Sequence, residues 1–382
     1  MPWKQSDRVT ERLRFVALVK EGHYQMKELC ERFGVSRQSG YETLKRYDER
    51  GVDGLKDGSH VPKTCPHRIT AEMREVLLSA RRAHPDWGPR KILEWLRRRQ
   101  PELAVPAAST VGDLYSREKL VKTRPRTRSW RHPGRSPVRV GEPNDLWTMD
   151  FKGDFRMGDG QRCYPLTIAD AHTRFLLTCH GLGSTAHVGA VAAVDRAFRE
   201  YGLPRAIRTD NGVPFCTKAI AGLSRLNIWW TQLGIAHDRI APGHPEQNGS
   251  HERMHLTLIR GRAFPPAAEM EAQQVRFDGF REEFDFERPH EALGGETPGS
   301  LYVRSPRELP ETLPEPVYAG HCEIRQVRAN GILYFKNRQI FLSELLSGHH
   351  IALEEIADGI WSIYFYTILL TRLDVRTFTF SG

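Results

Sequence analysis

LPRAIRTDNG, residues 203–212, decides the fold class. It reads as a short buried strand that ends at Asp210, because Asn211-Gly212 breaks it at once. Three β-rich segments precede it: DLWTMDFKGDF (145–155), RCYPLTIAD (162–170) and TRFLLTCH (173–180). Glycine, polar and turn residues separate them, as three consecutive antiparallel strands require. TAHVGAVAAVDRAFREYG (185–202) then carries small and apolar residues at helical spacing. Strands followed by helix, strand and helix predict a mixed α/β sheet of five strands.

Three acids stand where that sheet could use them. Asp150 interrupts the bulky residues Trp147, Met149 and Phe151, and Asp210 ends the fourth strand. Glu252 lies one turn into a helix expected to start near Asn248-Gly249. Strand ends and helix starts converge at one edge of an α/β sheet, the usual place for a site. Two carboxylates about 4 Å apart repel by on the order of 4 kcal/mol at an effective dielectric of 20. Such a cluster takes up protons or binds cations, and oxygen-only ligands suit Mg²⁺ or Mn²⁺. Two such ions would serve phosphodiester chemistry. Spacing alone leaves Asp154, Asp159, Asp170, Asp195 and Asp238 as competing acids.

The 382 residues are 39% hydrophobic and 27% charged, the composition of a globular protein of two or three domains. No apolar run reaches the roughly 18 residues of a membrane span, and MPWKQSDRVTERL is no signal peptide. A cytoplasmic protein, nucleoid-associated when bound to DNA, is expected. Its six scattered cysteines read as free thiols. Residues 1–140 hold 31 Lys+Arg against 17 Asp+Glu, a net +14, whereas the remainder holds 25 against 30, a net −5. A basic half joined to a slightly acidic one points to docking on a polyanion, with nucleic acid first.

QMKELCERFGVSRQSGYETLKRY (25–47) has the layout of a helix-turn-helix. Met26, Leu29, Cys30 and Phe33 form one apolar face, Gly34 turns the chain, Val35 packs inward, and Ser36 caps the next helix. Tyr41 and Leu44 are expected to continue the stripe. Arg37, Gln38 and Ser39 then open the recognition helix and face base edges, where Arg suits guanine and Gln suits adenine. A second cluster, with Thr70 capping its first helix, spans residues 66–121. The stretch VKTRPRTRSWRHPGRS (121–136) is too basic and proline-broken to bury a core. Lys122, Arg124, Arg126, Arg128, Arg131 and Arg135 are therefore expected on an arm along phosphates or in a minor groove.

WTMDFKG, RTDNGVPF, PGHPEQNGSHERMHLTL and FDFERPHEALGGETPGSLY (284–302) together resemble bacterial insertion-sequence transposases of the DDE and retroviral-integrase superfamily. GPRKI (88–92) resembles their pre-catalytic DNA-binding region. The resemblance implies an RNase H-like core with Asp150, Asp210 and Glu252 as catalytic metal ligands for two Mg²⁺, replaceable by Mn²⁺. It also implies duplex DNA as substrate, Asn248 near the scissile phosphate or capping its helix, and a homo-oligomer on DNA. Within the family's Pro-x-x-x-Gly-x-x-Glu-Arg segment, Pro245, Gly249, Glu252 and Arg253 match. The commonest family spacing of about 35 residues fits Glu246 instead: 35 separate it from Asp210, against 41 for Glu252. The local motif and the expected helix favour Glu252, leaving Glu246 as a solvated loop acid. The family's basic residue seven positions after its glutamate is here Ile259, with Arg260 beside it. Arg288, Pro289 and His290 match the segment that closes the fold. His251 and His255 lack the partner a zinc site would need.

Residues 315–382 alternate between apolar and polar, with turns at Gly331, Asn337-Arg338, Gly348 and Asp358-Gly359, which predicts a small β-barrel. The sequence reading is thus multidomain. A helix-turn-helix (1–56), a second helical DNA-binding domain (66–121) and a basic linker (122–140) precede an RNase H-like core (141–305) and a β-barrel (318–382). The activity it implies is binding of terminal inverted repeats, 3′-end cleavage and strand transfer. A DNA-binding regulator without catalysis, and a nuclease that cuts without joining, are the alternatives.

Overall fold

The computed structural model describes residues 8–57, 69–121, 138–217, 219–241, 244–263 and 265–381. The chain divides into two compact units, Met1–Arg68 and Ile69–Gly382. The basic arm expected at Lys122, Arg124, Arg126, Arg128, Arg131 and Arg135 lies outside the described residues.

In the first unit, α1 (Arg8–Glu21), α2 (Met26–Phe33) and α3 (Arg37–Arg50) enclose Phe15, Val16, Leu29, Cys30 and Leu55. Gly34 ends α2 in the left-handed conformation (φ 63°, ψ 33°), and the Ser36 hydroxyl accepts the Ser39 N–H at 3.1 Å as the cap of α3. A Cβ on Gly40 would stand 2.8 Å from Cys30 Sγ, so this glycine lets the two helices of the turn cross closely. Two expectations fail. Val35, in the turn, is 42% exposed, and Tyr41 is 58% exposed because Gly40 takes the contact position on α3 and leaves its neighbour facing outward.

The second unit opens with α4 (Ala71–Ala83), α5 (Pro89–Arg99) and α6 (Ala108–Arg117) around Leu77, Trp87, Ile92 and Val111. Thr70 caps α4 by accepting the Met73 N–H at 3.2 Å. The bundle rests on the later chain. Arg98 donates to the Gly295 carbonyl at 2.5 Å and lies 3.1 Å from Glu296, while Arg99 lies 3.1 Å from Glu287.

A mixed sheet follows: β1 (Leu146–Phe151), β3 (Arg162–Asp170) and β4 (Leu176–Leu182) are antiparallel, and β5 (Ala206–Thr209) and β6 (Ala236–Arg239) run parallel to β1. The order β4-β3-β1-β5-β6 matches the five strands expected, and a two-residue β2 (Phe155–Arg156) extends the edge of β3 as a sixth. One face buries Trp147, Met149, Leu166 and Ile168 against α7 (His187–Tyr201) and α8 (Arg225–Gln232). The other buries Cys163, Ala169 and Cys179 against α9 (Gly249–Leu258) and α10 (Met270–Glu282). The alternation along each strand makes this a helix–sheet–helix sandwich. Burying a ring such as Phe198 or Phe215 contributes about 2–3 kcal/mol. Asn144 locks the layers: its Oδ1 accepts from Trp147 Nε1 (3.0 Å) and Tyr302 OH (2.8 Å), and its Nδ2 donates to the Val303 carbonyl.

The expected C-terminal barrel does not close. Strands β7 (Glu323–Gln326), β10 (His350–Ala357), β11 (Ile360–Phe365), β12 (Ile368–Asp374) and β13 (Thr379–Ser381) form an open sheet with β7 and β13 at its edges. A separate hairpin of β8 (Ile332–Phe335) and β9 (Arg338–Phe341) covers its apolar face. With Leu333, Phe335 and Ile340 already packed on Ile351, Trp361 and Phe365, closure would bury nothing more. Leu223 and Ile228 of the α8 region belong to the same core. Among the described residues no helix is long and apolar enough to cross a membrane.

Candidate active site

Thr148 pairs with Arg208 in parallel register, and two residues beyond each stand Asp150 and Asp210. Both acids therefore leave the carboxyl ends of neighbouring strands, which lie roughly 4.8 Å apart. Asp150 is four-fifths buried on its side chain, and Asp210 and Glu252 are exposed. Burial, the Asp210 charge and, more weakly, the Glu252 charge push the Asp150 carboxyl up to about 7. Asp150 thus feels both other acids of the predicted triad.

Asp210 is aimed by its turn. Its Oδ1 accepts the Gly212 N–H at 3.0 Å, and Asn211 Nδ2 donates to the Ile240 carbonyl at 2.8 Å. Behind it, Thr209 Oγ1 donates to the Asp210 carbonyl (2.9 Å) and lies 2.8 Å from His237 Nε2, whose Nδ1 meets Asn227 at 3.0 Å.

Glu252 is set by α9, which two histidines fasten to the sheet. His251 lies 2.7 Å from Thr148 Oγ1 through Nδ1 and 2.7 Å from Thr167 Oγ1 through Nε2. His255 Nε2 meets the same Thr167 hydroxyl at 2.7 Å, and its Nδ1 lies 3.9 Å from Asp150 Oδ2. Thr167 is the cross-strand partner of Asp150 and donates to its carbonyl at 3.1 Å. One hydroxyl has one proton, so with that bond made both histidines donate to Thr167 through Nε2–H. Burial keeps both rings uncharged, pushing His251 to about 3 and His255 to about 2. The histidines bolt the helix of Glu252 to the strands beside and bearing Asp150. Among the described residues no three His, Cys, Asp or Glu side chains are grouped closely enough to hold a metal ion as they stand, and this includes Asp150, Asp210 and Glu252.

The start of α9 is held separately. Arg208, in a buried pair with Asp238 at 2.6 Å, donates to the Gln247 carbonyl at 3.1 Å. Asn248 does not cap the helix through its side chain. Its Nδ2 reaches to 3.5 Å of Asp150 Oδ2, and its buried Oδ1 has no partner. An unpartnered amide oxygen beside a buried carboxyl that Asp210 and Glu252 also repel fits the oxygen ligands of a hard divalent ion. Glu246 sits on a single 3₁₀ turn, Pro245–Asn248, whereas Glu252 is in α9.

The competing acids are otherwise engaged. Asp154 pairs with Arg162, Asp195 with Arg199, and Asp238 with Arg208. Asp159 accepts the Gln161 N–H, and buried Asp170 accepts from Asn144 and Thr173. Ile259 is half-buried at the end of α9, where a π turn (Ile259–Ala263) begins, and Arg260 is exposed. In the first unit, Arg37, Gln38 and Ser39 are exposed at the start of α3 with Tyr41 close behind. Sequence reasoning missed Thr148, Thr167, His237 and Arg208, since only the strand register brings them beneath the acids.

Integrase core domain models match residues 141–245 and 233–298, a Helix-turn-helix domain model matches 11–63, and a Homeodomain-like domain model matches 39–115. The chain is 33% identical over 194 residues to the uncharacterized 39.2 kDa protein of insertion element IS476 from Xanthomonas euvesicatoria, covering 50% of this chain and 51% of that protein. It is 28% identical over 180 residues to the uncharacterized 31.7 kDa protein of insertion element IS407 from Burkholderia multivorans, covering 43% and 57%. It spans about half the length of these curated relatives. The HTLV-2 integrase catalytic core domain, solved in complex with magnesium, matches at 14% identity with a TM-score of 0.34, covering 43% of this chain and 100% of that one. The chain carries an integrase core preceded by helix-turn-helix segments and resembles bacterial insertion-sequence transposases of the retroviral-integrase superfamily.

Proposed function

We propose that the chain is a DDE-type transposase that binds the terminal inverted repeats of a mobile element, cleaves DNA at the 3′ ends and joins them to a target. The observation that carries this reading is the parallel register of β1 and β5, which sets a largely buried Asp150 beside Asp210 at the carboxyl edge of the sheet, where Asp210 and Glu252 repel it. Asp150, Asp210 and Glu252 would hold two Mg²⁺, or Mn²⁺ in their place, which when bound would activate the attacking oxygen and stabilise the leaving one. The chain's own part is positional. The parallel register of β1 and β5 levels the two aspartates, and the His251–Thr148–Thr167–His255 network fixes the helix of Glu252 against them. Asn248 steadies the second oxygen of Asp150. Water would first attack the phosphodiester beside each 3′ end, and the freed 3′-hydroxyl would then attack a target phosphate in line.

Arg37, Gln38 and Ser39 are proposed to read base edges, and Arg260 to approach a phosphate. The π turn from Ile259 slows the helical rotation, which brings Arg260 nearer the face that residue 259 would hold in a continuous α-helix. Lys122, Arg124, Arg126, Arg128 and Arg131 are proposed to follow the backbone, and two ends joined in concert call for a homo-oligomer on duplex DNA. The test is a joining assay with pre-cleaved repeat ends and a supercoiled target plasmid. Joined product in Mg²⁺ or Mn²⁺, lost in Asp210→Asn, supports the reading. Cutting without joining assigns a nuclease, and repeat binding without either assigns a regulator.

A further inference from the structure

Beside Glu252 a second feature takes no part in holding the three acids. Lys91 on α5, Arg174 in the β3–β4 turn, Arg253 on α9 and Arg288 after the π turn Glu283–Glu287 lie on segments where the helical bundle meets the integrase core, near enough that Lys91 feels Arg288 and Arg253, and Arg174 feels Arg253. The local bonds fix this meeting. Asp285 Oδ1 accepts the Leu176 N–H at 2.8 Å, and the Phe175 and Phe286 rings lie 5.9 Å apart, tying residues 174–176 to residues 285–288. Arg98 and Arg99 tie α5 to the same segment through Gly295, Glu296 and Glu287.

The four cations feel one another. Lys91 is pushed down to about 8 by burial, then by Arg288, with Arg253 adding to it against the opposing Glu291. Burial and Arg253 lower Arg174, and burial lowers Arg288 against Glu283 and Asp86. His290, pushed to about 3 by burial and then by Lys91, Arg288 and Arg174, stays neutral among them, and its Nε2 is buried without a partner. Among the described residues none of the four makes a hydrogen bond or ion pair through its side chain. Of the nearby carboxylates, Glu287 is committed to Arg99, Glu296 to Arg98, Glu283 to His84 at 3.6 Å, and Asp170 to Asn144 and Thr173, while the exposed Glu291 and Asp86 face Lys91 and Arg288 without a bond to them. Arg174 moreover stands at φ 67°, a left-handed conformation that a turn normally gives to glycine.

Three half-buried cations and the exposed Arg253 that repel one another, with no carboxylate bonded to any of them, make a place that an external anion completes. Guanidinium forks beside an ammonium match the oxygens of a phosphodiester. We infer that Lys91, Arg174, Arg253 and Arg288 form one composite site for a DNA backbone phosphate, built jointly by the helical bundle and the integrase core and adjacent to Glu252. The inference rests on the reading that this chain acts on DNA. Its occupant is a phosphate of the strand that runs past the catalytic acids. Closing around that phosphate clamps α5 and α9 to the same strand.

The test is fluorescence anisotropy of a labelled 30-base-pair duplex against the full chain over a range of salt. Wild type is compared with Lys91→Gln, Lys91→Arg and Arg174→Gln, each also melted without DNA. Lys91→Gln and Arg174→Gln should each bind several-fold to tenfold more weakly at ~0.1 M salt. Their log–log salt slopes should be shallower by about 0.9, one phosphate contact. Their melting temperatures should hold or rise, since each removes a repelling charge, and Lys91→Arg should restore both binding and slope. Wild-type affinity and slope in Lys91→Gln, with a lowered melting temperature, would overturn the site as merely structural. Stabilisation of wild type but not Lys91→Gln by inorganic phosphate, above chloride of equal ionic strength, would overturn the DNA assignment in favour of a free anion. Failure of the transposase reading is separate: the duplex would still bind with these slopes while no metal-dependent cutting occurred.

Discussion

A Cβ on Gly212 would stand 3.1 Å from Asp210 Oδ2 and 3.3 Å from Oδ1, closer than such contacts normally run. Gly212→Ala should therefore shift the carboxylate by a few tenths of an ångström. It should slow single-turnover cleavage roughly tenfold or more while leaving the melting temperature almost unchanged. An unchanged rate would show that the turn does not aim Asp210. Asp150 carries the opposite balance of stability and function. Its ionised form is opposed by burial, by Asp210 and by Glu252, so Asp150→Asn should raise unfolding stability in chelator by about 1–2 kcal/mol while abolishing cutting. Urea unfolding in EDTA checks this, and a destabilised variant would contradict it. In the sequence Asp150, Asp210 and Glu252 are singled out by the resemblance carried by WTMDFKG, RTDNGVPF and PGHPEQNGSHERMHLTL, because position in a strand or helix left five other acids in competition. Thr148, Thr167 and His237 are not, because a threonine or histidine on an apolar face looks like core until register shows what it touches.

The π turn Glu283–Glu287 places Asp285 where only 1% of it is exposed, accepting the Leu176 N–H. Burial raises its carboxyl well above the usual range. A folded-state value above the unfolded one means that the folded chain binds more protons in that window. Stability is then full below the ordinary aspartate range and is lost as pH rises through the folded value. Asp285→Asn keeps the acceptor and removes the charge. Its unfolding midpoint in urea should fall less between pH 5 and pH 8 than that of wild type, and an identical fall would contradict the assignment. At this scale the sequence showed most elements of the integrase core, since period-2 and period-3.6 patterns survive in it. It did not show the break of WSIYFYTILL into β11 and β12 at Tyr366, which takes φ 51° for the turn. Nor could composition separate a closed barrel from an open sheet covered by a hairpin, because both alternate alike.

Across the whole molecule the charge split, +14 before residue 141 and −5 after it, follows the division of labour proposed here. The unit Met1–Arg68 has its own core, so removing it should leave metal-dependent cutting and abolish preference for the repeat over random duplex. Cleavage of repeat and random duplexes side by side measures that preference. The C-terminal sheet is different, because Leu223 and Ile228 of the integrase core are buried in its apolar cluster. A chain ending at residue 314 should lose most of its soluble yield, whereas full yield and activity would show that the shared core is dispensable.

The claim on which the account turns is that Glu252, and not Glu246, completes the three acids. The measurement is Mn²⁺-dependent nicking of a labelled duplex carrying the repeats that flank the gene, by wild type, Glu252→Gln and Glu246→Gln. The account predicts nicking by wild type and Glu246→Gln and none by Glu252→Gln. Nicking by Glu252→Gln with loss in Glu246→Gln would contradict it and restore the spacing of 35 residues as the true guide.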